Sequence, residues 1–251
     1  MNPERSNRIQ DEAEPRYAVI VPAYREAARI AEVVRGVRRH CPRVLVVDDG
    51  SDDGTAEAAR QAGAEVLRHA VNRGKGAALN TGFARARRQG LDFVITLDGD
   101  GQHDPDDLPA FVAAYRRSGL PVLVGNRMDR AAGMPLVRRL TNRFMSALLS
   151  REMGQRVPDT QCGYRLYRLD ALPAQPLGSA RFAAESEILL ELAERGARIG
   201  SVPIRVIYRD ERSKIRPLRD TARFFRMLRR YRRERRRRLR AAAAGAPVPN
   251  P

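Results

Sequence analysis

The chain has 251 residues, 43% of them hydrophobic, enough for a well-filled core in one generous α/β domain or two small ones. Its 47 Lys+Arg against 30 Asp+Glu give a net charge of +17, which favours anionic partners: nucleic acid, phosphorylated substrates or an anionic lipid surface. No apolar run reaches the roughly 18 residues that span a bilayer, and residues 1–16 lack the apolar stretch of a secretory signal. Cys41 and Cys162 have no metal-site spacing, so a cytosolic, reducing setting with two plain thiols is expected. Lys75 and Lys214 are the two lysines of an arginine-rich, alanine-rich chain, a bias that codon preference explains as readily as a selected surface.

Residues 1–16 are expected to be disordered. From 17 to 126, short apolar runs at 17–22, 43–49, 64–69, 91–98 and 120–126 predict strands, most of them apolar on both faces. Between them helices are expected near 25–39, 54–62, 75–89 and 105–117. Ser51 or Asp52 before Gly54, and Asp104 before Pro105, are suitable caps. Repeated strand–helix–strand units predict an α/β fold with a mainly parallel, Rossmann-like sheet and helices on both faces. In such sheets ligands sit beyond the carboxyl ends of the strands. Pro22–Glu26, Asp48–Ser51 and Asp98–Gln102 all fall there, so three polar clusters converge on one edge.

The second half is less regular. Residues 135–151 predict a helix with Leu136, Leu140, Phe144 and Leu148 in one apolar stripe beside Arg138, Arg139 and Arg143. "DTQCGYRLYR" (159–168) suggests a turn entering a short strand. Residues 182–196 form a helix closed by Gly196, 198–210 an extended segment and 211–217 a polar loop. A basic amphipathic helix follows at 218–240, then a tail at 241–251 expected to be disordered. There is no internal repeat.

In "TLDGDGQHDPDDL", Asp98 and Asp100 flank one glycine at the end of a buried strand, where two carboxylates can reach one divalent cation and Gln102 can add a neutral oxygen. Hard oxygen donors select Mg²⁺ or Mn²⁺. Counted from Asp98, a calcium loop would need glycine where His103 stands and a bidentate glutamate where Pro109 stands, so that reading fails. Asp104, Asp106 and Asp107 read as first-turn helix residues, where negative charge is favourable. Glu26, Asp48 and Asp49 add carboxylates at the first two strand ends. "NRGKGAALNTG" (72–82) opens a helix with two glycines around Lys75, suited to phosphate oxygens, although Walker spacing is absent.

"VIVPAYRE", "VVDDGSDDGT", "NRGKGAALNTG" and "LDGDGQHDP" together resemble family 2 glycosyltransferases with the GT-A fold. "VPDTQCGYRLYR", "FAAESEILLELAERG" and "YRDERSKIRPLRDTARFF" narrow the resemblance to the polyprenyl-phosphate sugar synthases, the dolichyl-phosphate mannose and glucose synthase group. It covers roughly residues 17–228, with a GT-A domain at 17–217. The resemblance implies that Pro22, Tyr24, Glu26 and Asp48 contact the base and ribose, with Asp49 and Ser51 shaping the turn. It implies that Asp98, Asp100 and Gln102 bridge Mg²⁺ or Mn²⁺ to the diphosphate of a UDP- or GDP-linked sugar.

The implied reaction is inverting transfer to a polyprenyl (dolichyl or undecaprenyl) phosphate. Such an acceptor is already an anion and needs cationic clamping rather than a strong base. Arg127, Arg138, Arg139, Arg165, Arg212 and Lys214 are the candidates, with Arg127, Arg212 and Lys214 foremost. Arg212 stands where the family often has glycine, which alters that loop. Asp159, Glu185 and Glu187 match acidic positions facing donor sugar or acceptor, or else hold arginines in place.

The stripe at 136–148 and the helix beginning "RDTARFFRMLRRY" either lie on a bilayer, dipping Phe144, Phe224, Phe225 and Leu228, or pack these residues in the core. Arg235–Arg238 would add about 1 kcal/mol each near an anionic surface. The expected location is therefore cytoplasmic, peripheral on the cytoplasmic face of a membrane. A sugar or other hydroxyl acceptor would instead require Asp159 or Glu187 as a general base. A nucleotidyltransferase would need a glycine-rich, lysine-containing motif near the first strand, and "VPAYREA" is not one. A nucleic-acid-binding role is disfavoured by the acidic site, the lack of Trp and the lack of a recognition-helix motif.

Overall fold

The computed structural model describes residues 15–130, 134–173, 184–207 and 217–243. Residues 1–14, most of the 211–217 loop (with Arg212 and Lys214) and the tail from 244 onward lie outside the described residues. Seven strands are present among them: β1 (Tyr17–Ala23), β2 (Val44–Asp48), β3 (Glu65–Arg68), β4 (Phe93–Thr96), β5 (Val122–Asn126), β6 (Arg165–Arg168) and β7 (Ile199–Pro203). They form one sheet in the order β3-β2-β1-β4-β6-β5-β7. β6 runs antiparallel to both neighbours, and the remaining pairs are parallel.

The helices are α1 (Ala27–Arg38), α2 (Thr55–Gln61), α3 (Lys75–Arg88), α4 (Leu108–Ser118), α5 (Leu136–Met153), α6 (Ala184–Glu194) and α7 (Pro217–Ala243). Every residue of β2, β4 and β5 is buried, so both faces of the central sheet are covered, as continuous apolar runs require. α1 buries Ile30, Val33, Val34 and Val37, an i, i+3, i+4, i+7 stripe. α2 begins one residue past Gly54, which occupies the cap position itself with φ 87°; Asp53, rather than Ser51 or Asp52, accepts from the Thr55 N–H. Asp104 caps a short 3-10 turn at 105–107 by accepting from Asp106 N–H, and α4 follows directly.

Two departures from the expected pattern matter for the site. The strand expected at 91–98 ends at Thr96, which leaves Asp98 in the loop beyond it. The segment 159–168 forms a strand only from Arg165 and enters the sheet in the reverse sense, pairing Thr96 with Arg165. The start of β6 therefore lies at the same edge as the ends of the parallel strands.

A second, smaller core joins Met145 and Leu149 of α5, Leu190 of α6, and Phe224, Met227, Leu228 and Tyr231 of α7. Phe224 and Leu228 are thus core residues of a helix docked on the body. On α5, by contrast, Leu136, Val137, Leu140 and Phe144 are exposed, from 55% to 69%. The stripe at 136–144 faces out, while Met145 and Leu149 face in.

α3 approaches β1 closely because its inner face is Gly76, Ala78, Leu79, Gly82, Phe83 and Ala86. A Cβ at Gly82 would stand 2.7 Å from Ile20 Cγ2 and 3.1 Å from its Cδ1. Gly82→Ala is therefore expected to lower unfolding free energy by about 1–3 kcal/mol through overpacking, read as a shift in urea midpoint at unchanged m-value.

Candidate active site

The chain leaves β1 through Arg25, whose φ of 54° puts a non-glycine residue in the left-handed region. Such a conformation costs on the order of 1 kcal/mol or more and persists only when neighbours fix it. Here the Arg25 N–H donates to Ser51 Oγ at 2.9 Å, and its guanidinium grips Asp52 at 2.9 and 2.7 Å. The Glu26 N–H donates to Thr55 Oγ1, whose hydroxyl donates to Asp53. The ends of β1 and β2 are thereby stitched into one wall.

Asp48 is fully buried within that wall. Its Oδ1 accepts from the Ser51 N–H at 3.1 Å, and its Oδ2 lies 3.2 Å from Arg68 Nε. Asp49 reaches across to the next loop, where Oδ1 accepts from Arg73 N–H and Oδ2 from Gly74 N–H at 2.9 and 2.7 Å. Asp49 Oδ1 also lies 2.7 Å from His69 Nδ1, and His69 Nε2 lies 2.9 Å from Thr81 Oγ1. Asp49 and Ser51 thus shape the turn. Tyr24 is 40% exposed, and Pro22 and Glu26 are partly accessible at the outer rim.

Asp49 sets the entry of α3 and so the position of Lys75. Lys75 Nζ lies 2.5 Å from Asp98 Oδ1 and 2.9 Å from Glu185 Oε2, joining α3, the loop after β4 and the first turn of α6. Asp98 Oδ2 faces His103 Nε2 at 3.5 Å. Burial alone would push the Lys75 ammonium down, but the Asp98 and Glu185 carboxylates outweigh it and hold it above its ordinary range. Burial alone would likewise raise Asp98, yet Lys75 and His103 reverse this and hold its carboxyl well below the usual carboxylate range. Gly163, at the approach to β6, gives the cluster room: a Cβ there would lie 2.7 Å from Asp98 Oδ2 and 2.9 Å from Lys75 Nζ.

Beyond Asp98 the loop presents Asp100 and Gln102, both partly exposed. Asp100 Oδ1 accepts from the Gln102 N–H at 3.0 Å, and Arg29 Nη1 donates to the Asp100 carbonyl at 3.1 Å. The Ile207 N–H donates to the Gln102 carbonyl, and His103 bridges Val206. Arg205 Nε binds Asp107 at 3.2 Å, so the chain leading to residues 208–216 is pinned to this loop.

No three His, Cys, Asp or Glu side chains group in a ligating arrangement among the described residues. The donor set nevertheless fits Mg²⁺ or Mn²⁺, which take a few hard protein oxygens and complete their shell with water and substrate phosphates. Asp98 and Glu185 set two negative charges against one on Lys75, Asp100 adds a further partly exposed carboxylate on the same loop, and Glu185 Oε1 is buried with no hydrogen-bond partner among the described residues. That excess of negative charge favours a cation.

Other expected site residues are engaged elsewhere. Asp159, 1% exposed, accepts from Arg127 Nε at 2.7 Å, from Nη2 at 2.8 Å and from the Arg127 N–H at 3.2 Å. Arg165 is fully buried and donates to the carbonyls of Thr160, Cys162 and Glu185 and to the Tyr167 hydroxyl, so it holds the start of β6 and is no clamp for a ligand. Glu187 accepts from Arg230 of α7 at 2.7 Å. Arg138 and Arg139 are half-buried on α5. Burial pushes the Cys162 thiol up to about 12, which leaves it inert. The one sequence signal for Arg68 and His69 is a basic side chain at or just past the end of β3; His103, well along the loop after β4, carries no such signal.

Residues 18–174 match the family model described as glycosyl transferase family 2. Among curated relatives, an undecaprenyl-phosphate mannosyltransferase of Micrococcus luteus is 33% identical over 78% of this chain and 85% of its own. A UDP-N-acetylglucosamine–dolichyl-phosphate N-acetylglucosaminyltransferase of Methanococcus voltae is 30% identical over 76% of this chain and 85% of its own. Among solved structures, glucosyl-3-phosphoglycerate synthase from Mycobacterium tuberculosis superposes with TM-score 0.66 at 24% identity, covering 85% of this chain and 77% of that one. This last likeness bears on the fold, which is of the GT-A type.

The Arg127–Asp159 pair gives the site a structural test. Asp159→Asn is expected to cost about 3 kcal/mol or more, because it strands a buried guanidinium. Replacing both by apolar residues of similar volume should recover most of that loss in urea unfolding, an outcome that a free, solvent-facing Asp159 would not give.

Proposed function

Because the chain belongs to glycosyl transferase family 2, we propose that it moves a sugar from a UDP- or GDP-linked donor to a polyprenyl phosphate, dolichyl or undecaprenyl, with inversion at the anomeric carbon. The observation that carries this reading is that both carboxylates expected from sequence as a general base are committed to arginines, Asp159 to Arg127 and Glu187 to Arg230. An acceptor that is already a phosphate anion needs no proton removed. The two relatives named for undecaprenyl- and dolichyl-phosphate transfer support the same acceptor class.

In this reading Pro22, Tyr24 and Glu26 contact the base and ribose, while Asp48, Asp49 and Ser51 hold the wall behind them. Lys75 sits near the donor diphosphate at the start of α3. A Mg²⁺ or Mn²⁺ ion held by Asp98, Asp100 and Gln102 would supply neutralisation of the leaving diphosphate. The acceptor phosphate oxygen attacks the anomeric carbon opposite the departing nucleoside diphosphate; one C–O bond forms as the other breaks. Arg212 and Lys214 are proposed to hold the acceptor phosphate, while Arg127, expected from sequence to share that role, is tied to Asp159 and positions the end of β5.

The acceptor's lipid tail places the reaction at a membrane. No described helix is long and apolar enough to cross one. α5 instead exposes Leu136, Val137, Leu140 and Phe144 beside Arg143, and the exposed arginines of α7 include Arg226, Arg229, Arg233, Arg236 and Arg237. An apolar strip flanked by cations suits peripheral binding to an anionic cytoplasmic surface.

The direct assay is transfer of radiolabel from UDP-glucose, GDP-mannose or UDP-N-acetylglucosamine into organic-extractable lipid, with polyprenyl phosphate in detergent and Mg²⁺ or Mn²⁺. One donor should label lipid, chelator should abolish the signal, and Asp100→Ala should reduce it about a hundredfold or more. Labelling of a sugar acceptor but never of lipid would overturn the polyprenyl-phosphate reading. For the surface, the pair Leu140→Glu and Phe144→Glu should weaken binding to phosphatidylglycerol vesicles about tenfold or more in sedimentation, with the fold intact by circular dichroism.

A further inference from the structure

Both oxygens of Asp98 are already engaged by the protein, Oδ1 by Lys75 Nζ at 2.5 Å and Oδ2 by His103 Nε2 at 3.5 Å. A divalent cation at Oδ1 would be repelled by the ammonium, so the two compete for this oxygen. Yet a buried ammonium displaced from Asp98 cannot be left unpaired either. Glu185 resolves the conflict: its Oε2 already stands 2.9 Å from Nζ, and its Oε1 is enclosed with no hydrogen-bond partner among the described residues, in a residue only 7% exposed. A buried carboxylate oxygen left unsatisfied is costly and calls for a donor. Lys75 Nζ already binds the other oxygen of the same carboxylate. A turn of its terminal bonds would exchange Asp98 for the second oxygen of Glu185, a movement that a side chain at position 163, with its Cβ 2.9 Å from Nζ, would hinder.

We infer that Lys75 is an internal stand-in cation, seated on Asp98 until a divalent ion displaces it onto Glu185, so that the Lys75–Glu185 pair sets how tightly the metal binds. The inference rests on the reading of loop 98–102 as a metal site. It makes Lys75 and Glu185 positioning residues acting through Asp98, with opposite signs. Lys75 opposes the metal and Glu185 favours it. In the metal-free protein Lys75 itself keeps Asp98 compensated, which two neighbouring carboxylates require.

The test is Mn²⁺ binding by the full chain, followed by loss of the free-ion EPR signal, without nucleotide and with UDP. Without nucleotide, Lys75→Met should bind Mn²⁺ about tenfold more tightly than the unmodified protein. Glu185→Gln should bind it several-fold more weakly. In an Asp98→Asn background the gain from Lys75→Met should vanish, because Lys75 then has no ligand to vacate. A lysine with a purely structural role would not raise metal affinity when lost. The inference is overturned if Lys75→Met gives no gain, or if the gain persists with Asp98→Asn, which would reduce it to a general field effect. Should Lys75→Met fail to fold by thermal melting, Glu185→Gln decides alone: unchanged or tighter binding overturns the inference. If the unmodified protein binds no Mn²⁺ even with UDP, the metal-site reading falls and takes the inference with it; binding that is normal with UDP but indifferent to Lys75 removes the inference alone.

Discussion

The contact on which the rest of the site depends is the Lys75 ammonium held between Asp98 and Glu185. Through it the start of α3, the loop after β4 and the first turn of α6 share one fixed point, although they come from distant parts of the chain. Asp49 sets where that ammonium stands by accepting the Arg73 and Gly74 amides. The absence of a side chain at Gly163 lets β6 begin directly against it. Remove the charge at the centre and the carboxylates of Asp98 and Glu185 face one another uncompensated, which favours another cation between them.

A second layer of ionic contacts surrounds this point. Arg127 with Asp159, Arg165 with four neutral oxygens, and Glu187 with Arg230 lie behind or beside the site. They immobilise the backbone of β5, β6 and α6, and immobile groups are what a reaction governed by charge and orientation requires. The net positive charge of the chain is thus used in two ways: inward, to tie loops together with buried arginines, and outward, along α7 and the first turns of α5.

Much of the fold was legible because its signals are local. Continuous apolar runs marked β1, β2, β4 and β5, and the polar clusters after the first, second and fourth strands marked the working edge. The direction of β6 was not legible, since "RLYR" carries no information about its sense until Thr96 and Val124 pair with Arg165 from either side. On α5 two apolar stripes compete; nothing local says that Met145 and Leu149 face the core while Leu136, Leu140 and Phe144 face out. For α7 the spacing of Phe224, Met227, Leu228 and Tyr231 is that of a core stripe, but the surrounding arginines fit a bilayer equally well. Within the site, Asp98, Asp100 and Gln102 announced themselves by spacing. The partnership of Lys75 with Glu185, and of Arg127 with Asp159, did not, because charged residues near a strand end look alike whether they meet a ligand or each other.

The placement of β6 also orders events during synthesis. β4 and β5 are neighbours in sequence but not in the sheet, because β6 lies between them. While the ribosome has released only the first half of the chain, β4 has β1 on one side and an open edge on the other, and β5 has no partner at all. Exposed strand edges of that kind template wrong pairing. The two parts of the sheet join only when residues 165–168 emerge and enter between β4 and β5, with β7 still to add beyond β5. In this molecule the strand that joins β4 to β5 is the same one that brings Gly163 to the site, so a nascent chain cannot acquire a finished active edge before the two parts of its sheet are joined.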